Sequence, residues 1–141
     1  MCNSTTTQRA AVVLAAWIST AACAHAVDLT GLWVTDVEAC NKVFTTEGRQ
    51  TNFSPDADLY GSGFIIDGTH IRGKMASCSI KSKKEDGNVL HLLAACATDI
   101  MLQNVQFSVK VVNDNRITRI FPGIDGMALD YYRCPARRGT P

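Results

Sequence analysis

Residues 104–121 read NVQFSVKVVNDNRITRIF. Val105, Phe107, Val109 and Val111 alternate with Gln106, Ser108 and Lys110, the period of two that turns one face of a β-strand to a core and the other to water. Asn113-Asp114-Asn115 carries the turn chemistry of a tight hairpin, and Arg116–Phe121 supplies the returning strand. A three-residue loop sets Val112 against Arg116, Val111 against Ile117, Val109 against Arg119 and Phe107 against Phe121. Arg119 then shares the apolar face.

The same signature repeats outward along the chain. Asp67-Gly68, Asp86-Gly87 and Asp125-Gly126 each lie between strand-like runs, and hairpin signals at this density describe an antiparallel meander. Strands are expected at Leu32–Thr35, Phe64–Ile66, His70–Met75, Ser77–Lys81, Val89–Cys96, Asn104–Val112, Arg116–Phe121 and Met127–Cys134. One short helix is expected where Thr35 and Glu38 form a capping box and Val37, Cys40, Val43 and Phe44 recur at helical spacing. Residues 45–58 (TTEGRQTNFSPDAD) read as a long exposed loop. Seven or eight short strands with half-buried faces must hide their edges, and closure does so most completely. The expected fold is an all-β meander barrel with one short helix, with a β-sandwich as the alternative.

The chain has 141 residues and a formal net charge of +1, which fits a single domain after a leader. The balance of charge argues against nucleic-acid binding, which needs a concentrated positive field. Residues 10–22 (AAVVLAAWISTAA) form an uncharged apolar run after Arg9, and Ala24-His25-Ala26 offers small residues for cleavage. Residues 1–26 thus read as a secretory signal peptide, leaving residues 27–141 as the domain. The run is shorter than the ~20 residues of a membrane span, so no stable membrane insertion is expected after cleavage. A lipoprotein attached through Cys23 is a minor alternative, because Thr20 stands where such signals usually carry Leu.

Cleavage removes one cation and no acid, so the net charge falls from +1 to zero. It also removes Cys2 and Cys23, leaving Cys40, Cys78, Cys96 and Cys134 out of six cysteines. An even set in an exported domain reads as two disulfides. Without a Cys-x-x-Cys pair, a metal centre is a poor alternative. Cys78 and Cys96 flank the Asp86-Gly87 turn almost symmetrically. A three-residue loop at Glu85–Gly87 leaves them diagonally offset by two positions, which a small bulge would close. Cys40 is then left for Cys134, a bridge worth roughly 4–5 kcal/mol on the chain-entropy view; the rival pairing, Cys40–Cys78 with Cys96–Cys134, is favoured if the helix packs beside the middle strands.

Catalytic machinery is not expected. His70 and His91 have no nucleophile motif beside them, and Gly61-Ser62-Gly63 lacks the spacing of a nucleophile elbow. Asp56 and Asp58 lack the further oxygen ligands of a calcium loop. No phosphate or nucleotide fingerprint occurs, so no cofactor is expected.

Asp28-Leu29-Thr30-Gly31-Leu32-Trp33 places Gly-x-Trp on the first strand. This resembles the opening strand of lipocalin-like (calycin) barrels. The resemblance implies a tryptophan at the closed end of a barrel, packed on an arginine from a late strand. Arg119 and Arg133 both lie on late strands, and Arg119 is the expected partner of Trp33, with backbone carbonyls or Asp130 taking its hydrogen bonds. A helix just after Trp33, and none after the last strand, depart from that family. In size, leader, disulfides and strand pattern the chain also resembles small exported bacterial barrels that inhibit lysozyme or proteases.

The expected function is non-catalytic binding or inhibition in the periplasm or outside the cell. Loops 45–63 and 97–103 would contact a protein partner, with Tyr60, Phe64, Ile100, Met101 and Leu102 as candidate contacts. The alternative is a carrier of a small apolar ligand in the lumen; Phe107, Phe121, Leu129, Tyr131 and the valines look sufficient to fill that space. The intact mass of the exported product should place its N-terminus at Val27, whereas a lipid-modified Cys23 would contradict a soluble product.

Overall fold

The computed structural model describes residues 26–136, so the leader with Cys2, Cys23 and Arg9 lies outside it. Eight strands close into an antiparallel barrel. They are β1 (Gly31–Val34), β4 (Gly63–Asp67), β5 (His70–Arg72), β6 (Ser77–Asp86), β7 (Val89–Ala97), β8 (Leu102–Asn113), β9 (Arg116–Ile120) and β10 (Ala128–Arg133). Around the barrel the order is β1-β10-β9-β8-β7-β6-β5-β4, with β4 returning to β1. A closed order, not a sandwich, follows from Trp33 pairing with Arg133 on one side and Phe64 on the other.

The expected register of the β8–β9 hairpin is present in its central pairs, Val109 with Arg119 and Val111 with Ile117. A shift then sets Asn113, not Val112, against Arg116. Trp33, Ile66, Leu90, Leu92, Val109, Ile117 and Tyr131 form the buried interior cluster.

Both disulfides pair as expected, Cys40 with Cys134 and Cys78 with Cys96, which suits an oxidising compartment. The β6–β7 turn differs from expectation. Asp86 opposes Val89, so only Gly87 and Asn88 connect the strands. That register, continued, would set Cys78 against Ala97 and point Cys78 and Cys96 to opposite faces. A register shift between Ile80 and Ser82 brings Cys78 opposite Cys96, with Cα atoms 4.0 Å apart. The bulge therefore decides whether the bridge can form.

The segment between β1 and β4 packs on the outside of the barrel. Here lie a 3₁₀ turn (Val37–Ala39), helix α1 (Cys40–Val43) and a hairpin of β2 (Phe44–Glu47) and β3 (Gln50–Phe53). Val43, Phe44, Cys40 and Ala57 cover the outward-facing Val34, Ile65 and Cys134. Gly63 permits this approach, because a Cβ there would lie 2.9 Å from the Trp33 carbonyl and 3.0 Å from Val43. The β2–β3 hairpin replaces the expected long loop. Its ends are pinned by Phe44 on Phe53, ring centres 5.2 Å apart, while most of its other residues are exposed. The helical turn is capped by Asp36, whose carboxylate accepts from the Glu38 amide at 3.0 Å, and not by Thr35. Thr35 instead engages Ser62, accepting from its amide at 3.2 Å.

One barrel end is closed by Trp33, which is fully buried. Its indole N–H donates to the Leu29 carbonyl at 2.9 Å, folding residues 26–30 across the opening. Arg133 lies over the indole, 4.5 Å from its centre. The Arg133 guanidinium donates to the carbonyls of Asp114 at 2.7 Å, Asp28 at 3.0 Å and Thr30. Gly31, at φ +148°, accommodates this contact, since a Cβ there would meet the guanidinium at 3.0 Å. The expected Trp33–Arg119 pair is thus corrected: Arg133 is the cation on the indole, and Arg119 lies over Phe107 and Phe121. Arg133→Ala is expected to lower stability in urea by about 2–3 kcal/mol, from lost carbonyl bonds and the ring contact. Arg119→Ala, which loses ring contacts alone, should cost about 1 kcal/mol or less.

Candidate functional site

In an antiparallel meander, alternate connections fall at the same end. The β5–β6, β7–β8 and β9–β10 connections and the approach to β4 all lie opposite the Trp33 end. There the barrel is open. A cavity of about 260 Å³ runs into the lumen from Ser62, Gly63, Gly73 and Ala76, past Phe64 and Phe107, to Ile66, Ile117 and Leu29. By proportion to the ~150 Å³ cavity that holds benzene, this is room for roughly ten non-hydrogen atoms.

The space remains because the residues expected to fill it do not all reach it. Leu129 is 38% exposed, and Phe121 stacks with Arg119 beyond the last ladder pair of β9. Tyr131 and Phe107 do line the cavity. The opposite wall is built from the small residues Gly73, Ala76 and Cys78, which leave volume that larger side chains would occupy.

Among the lining residues Arg119 carries the positive charge. Its guanidinium carbon lies 4.9 Å from the Phe107 ring centre and 4.7 Å from that of Phe121. Among the described residues no hydrogen bond or ion pair engages it. Asp130, expected as a partner of Arg119, points to the other face of β10. Its carboxylate accepts from Arg116 at 2.6 Å and from the Thr118 hydroxyl at 2.6 Å. The alternation of β9 therefore sends Arg116 and Thr118 outward to an acid and Arg119 inward to the lumen.

Of the candidate contacts, Ile100 and Leu102 stand clear of the barrel at 91% and 83% exposure, with Met101 between them. Tyr60 is also exposed, with the Lys42 ammonium 5.0 Å from its ring centre. Phe64 does not join them. It sits in the lumen with its ring edge-on to Tyr131, centres 4.7 Å apart. The exposed Leu59, Met75, Ile124 and Met127 extend the apolar set around the open end; Met75 and Met127 read in the sequence as strand ends, and Leu59 and Ile124 sit among turn residues with no periodicity to mark them.

No protein-family model, curated protein or solved structure matches the chain.

The remaining polar features hold the fold. His91 Nδ1 lies 3.0 Å from Ser108 Oγ on the outer face, His70 is exposed, and Asp58 pairs with Lys74. Among the described residues no helix is long and apolar enough to cross a membrane. The hydrogen bond from Thr118, with the Arg116 guanidinium beside it, holds the Asp130 carboxyl below the usual carboxylate range. An acid depressed in the folded state stabilises the fold above its unfolded pKa of about 3.9, and that contribution is lost as pH falls through the lower folded value. In acid titrations followed by circular dichroism, stability should fall more steeply below about pH 4 for the parent protein than for Asp130→Asn.

Proposed function

We propose that this protein is an exported, non-catalytic binding module whose lumen takes a small apolar ligand through the open end. The observation that carries this reading is the apolar cavity of about 260 Å³, enclosed by the strands and reached from one end. Sites of this kind are concave, mostly apolar and carry few polar groups. Export is supported by the leader-like residues 1–26 and by the two disulfides. A lipocalin-like ancestry is supported by Gly31-x-Trp33 together with the arginine of the last strand over the indole.

The open lumen favours a ligand over the loops, because only a core filled by its own side chains would leave contact through loops as the main option. Contact with a protein partner, as in an inhibitor, stays as the second reading. It is favoured by Ile100, Met101 and Leu102, which lie exposed together where the β7–β8 connection enters β8.

An uncharged probe separates the two. Seven methylenes and a methyl buried at about 0.8 kcal/mol each set an upper bound near 6 kcal/mol, so 1-octanol should bind one-to-one with Kd between roughly 40 μM and 1 mM. Ala76→Trp, which places a large ring at the mouth, should abolish that binding and leave the melting temperature within a few degrees. Absence of saturable octanol binding to the parent protein would move the assignment to the partner reading.

A further inference from the structure

Three arginines on β9 and β10 offer an internal comparison. Arg133 has its donors on backbone carbonyls and its face on an indole. Arg116 has one donor, Nη2, on Asp130 at 2.6 Å, and its Nε is buried without a partner. Arg119 alone of the three has ring contacts and no acceptor among the described residues. A guanidinium used to plug a barrel has its N–H groups satisfied by the protein, as Arg133 does. Arg119 instead lines an open apolar cavity, and its contacts with Phe107 and Phe121 engage the charge while using none of its five N–H donors. What fits such an edge is a planar anion able to accept two parallel hydrogen bonds.

We propose that the lumen's ligand is an amphipathic monocarboxylate of roughly ten non-hydrogen atoms, with its apolar part in the cavity and its carboxylate paired with Arg119. This deepens the lumen-binding reading and rests on it. The apolar walls, Ile66, Ile71, Leu92, Val109 and Ile117, would take the tail. Among the lining residues there is no carboxylate to compete for the guanidinium. Phe107 and Phe121 hold the charge at the mouth without quenching it. A phosphate or sulfate has no apolar part to fill the cavity, and a neutral lipid leaves the cation unpaired.

The experiment is calorimetric titration of the oxidised domain with octanoate and with 1-octanol, compared across the parent protein, Arg119→Gln and Arg119→Lys. In the parent, octanoate should bind at least about tenfold more tightly than 1-octanol, the scale of a charge-assisted pair. Arg119→Gln should remove that preference and leave 1-octanol within about threefold. Arg119→Lys, which keeps the charge and loses the two-pronged geometry, should fall between them. Acidification that protonates octanoate should bring its affinity toward that of 1-octanol. Unchanged octanol binding certifies the fold of each variant. If octanol binds the parent and octanoate shows no preference that depends on Arg119, the carboxylate assignment is overturned and the lumen-binding reading stands. If neither probe binds the parent, both fail.

Discussion

The Arg133 guanidinium is the contact on which the rest of the barrel depends. It lies over Trp33 and donates to the carbonyls of Asp28, Thr30 and Asp114. One side chain thereby ties together the N-terminal segment, the β8–β9 turn and the last strand. Charge-assisted bonds to backbone carbonyls are the strong kind, and the fully buried indole covers one face of the guanidinium. Next to this contact, the Cys134 amide donates to the Leu32 carbonyl at 2.8 Å, and the Cys134 sulfur is bridged to Cys40 of the outer layer. The first and last strands are therefore fixed to each other by a ring stack and backbone pairing, and the end of the last strand is bound covalently to the outer layer.

Closing one end so firmly frees the other from that task. The open end has the longer connections, small residues in its walls and a disulfide across β6 and β7. The bulge between Ile80 and Ser82 serves two purposes there. It turns Cys78 and Cys96 to the same face, and it changes which residues of β6 face inward, so that Lys83 and Glu85 share the inner side at the closed end. Lys83 then donates to the Val27 carbonyl at 3.2 Å and helps hold the crossing segment in place. A packed floor and an unfilled mouth come from the same strands, with residue size changing along them.

Much of this was legible in the chain, and the failures have physical causes. Strands that bury one face announce themselves by alternation, so the hairpin of residues 104–121 and its inward Arg119 could be read directly. The disulfide partners followed from turn symmetry and from the neighbouring of first and last strands. The β2–β3 hairpin was illegible because Thr45, Thr46, Thr51 and Asn52 bury neither face fully and leave no period-two contrast. The choice of Arg133 over Arg119 for Trp33 turned on depth along the barrel axis, which alternation does not encode. Both arginines point inward; only register and shear place one at the floor and the other at the mouth. The lumen was likewise misjudged by counting large residues without regard to depth, since Phe121 and Leu129 lie at the rim.

The central claim is a barrel sealed at the Trp33 end and hollow toward the other. Xenon seeks dry apolar cavities, so methyl resonances of the protein under xenon pressure test it most directly. The account predicts saturable shifts at Ile66, Ile71, Leu92, Val109 and Ile117, which line the lumen, with Val34, Val43 and Ile65 of the outer layer unmoved. Shifts confined to the outer layer, or none at all, would contradict it.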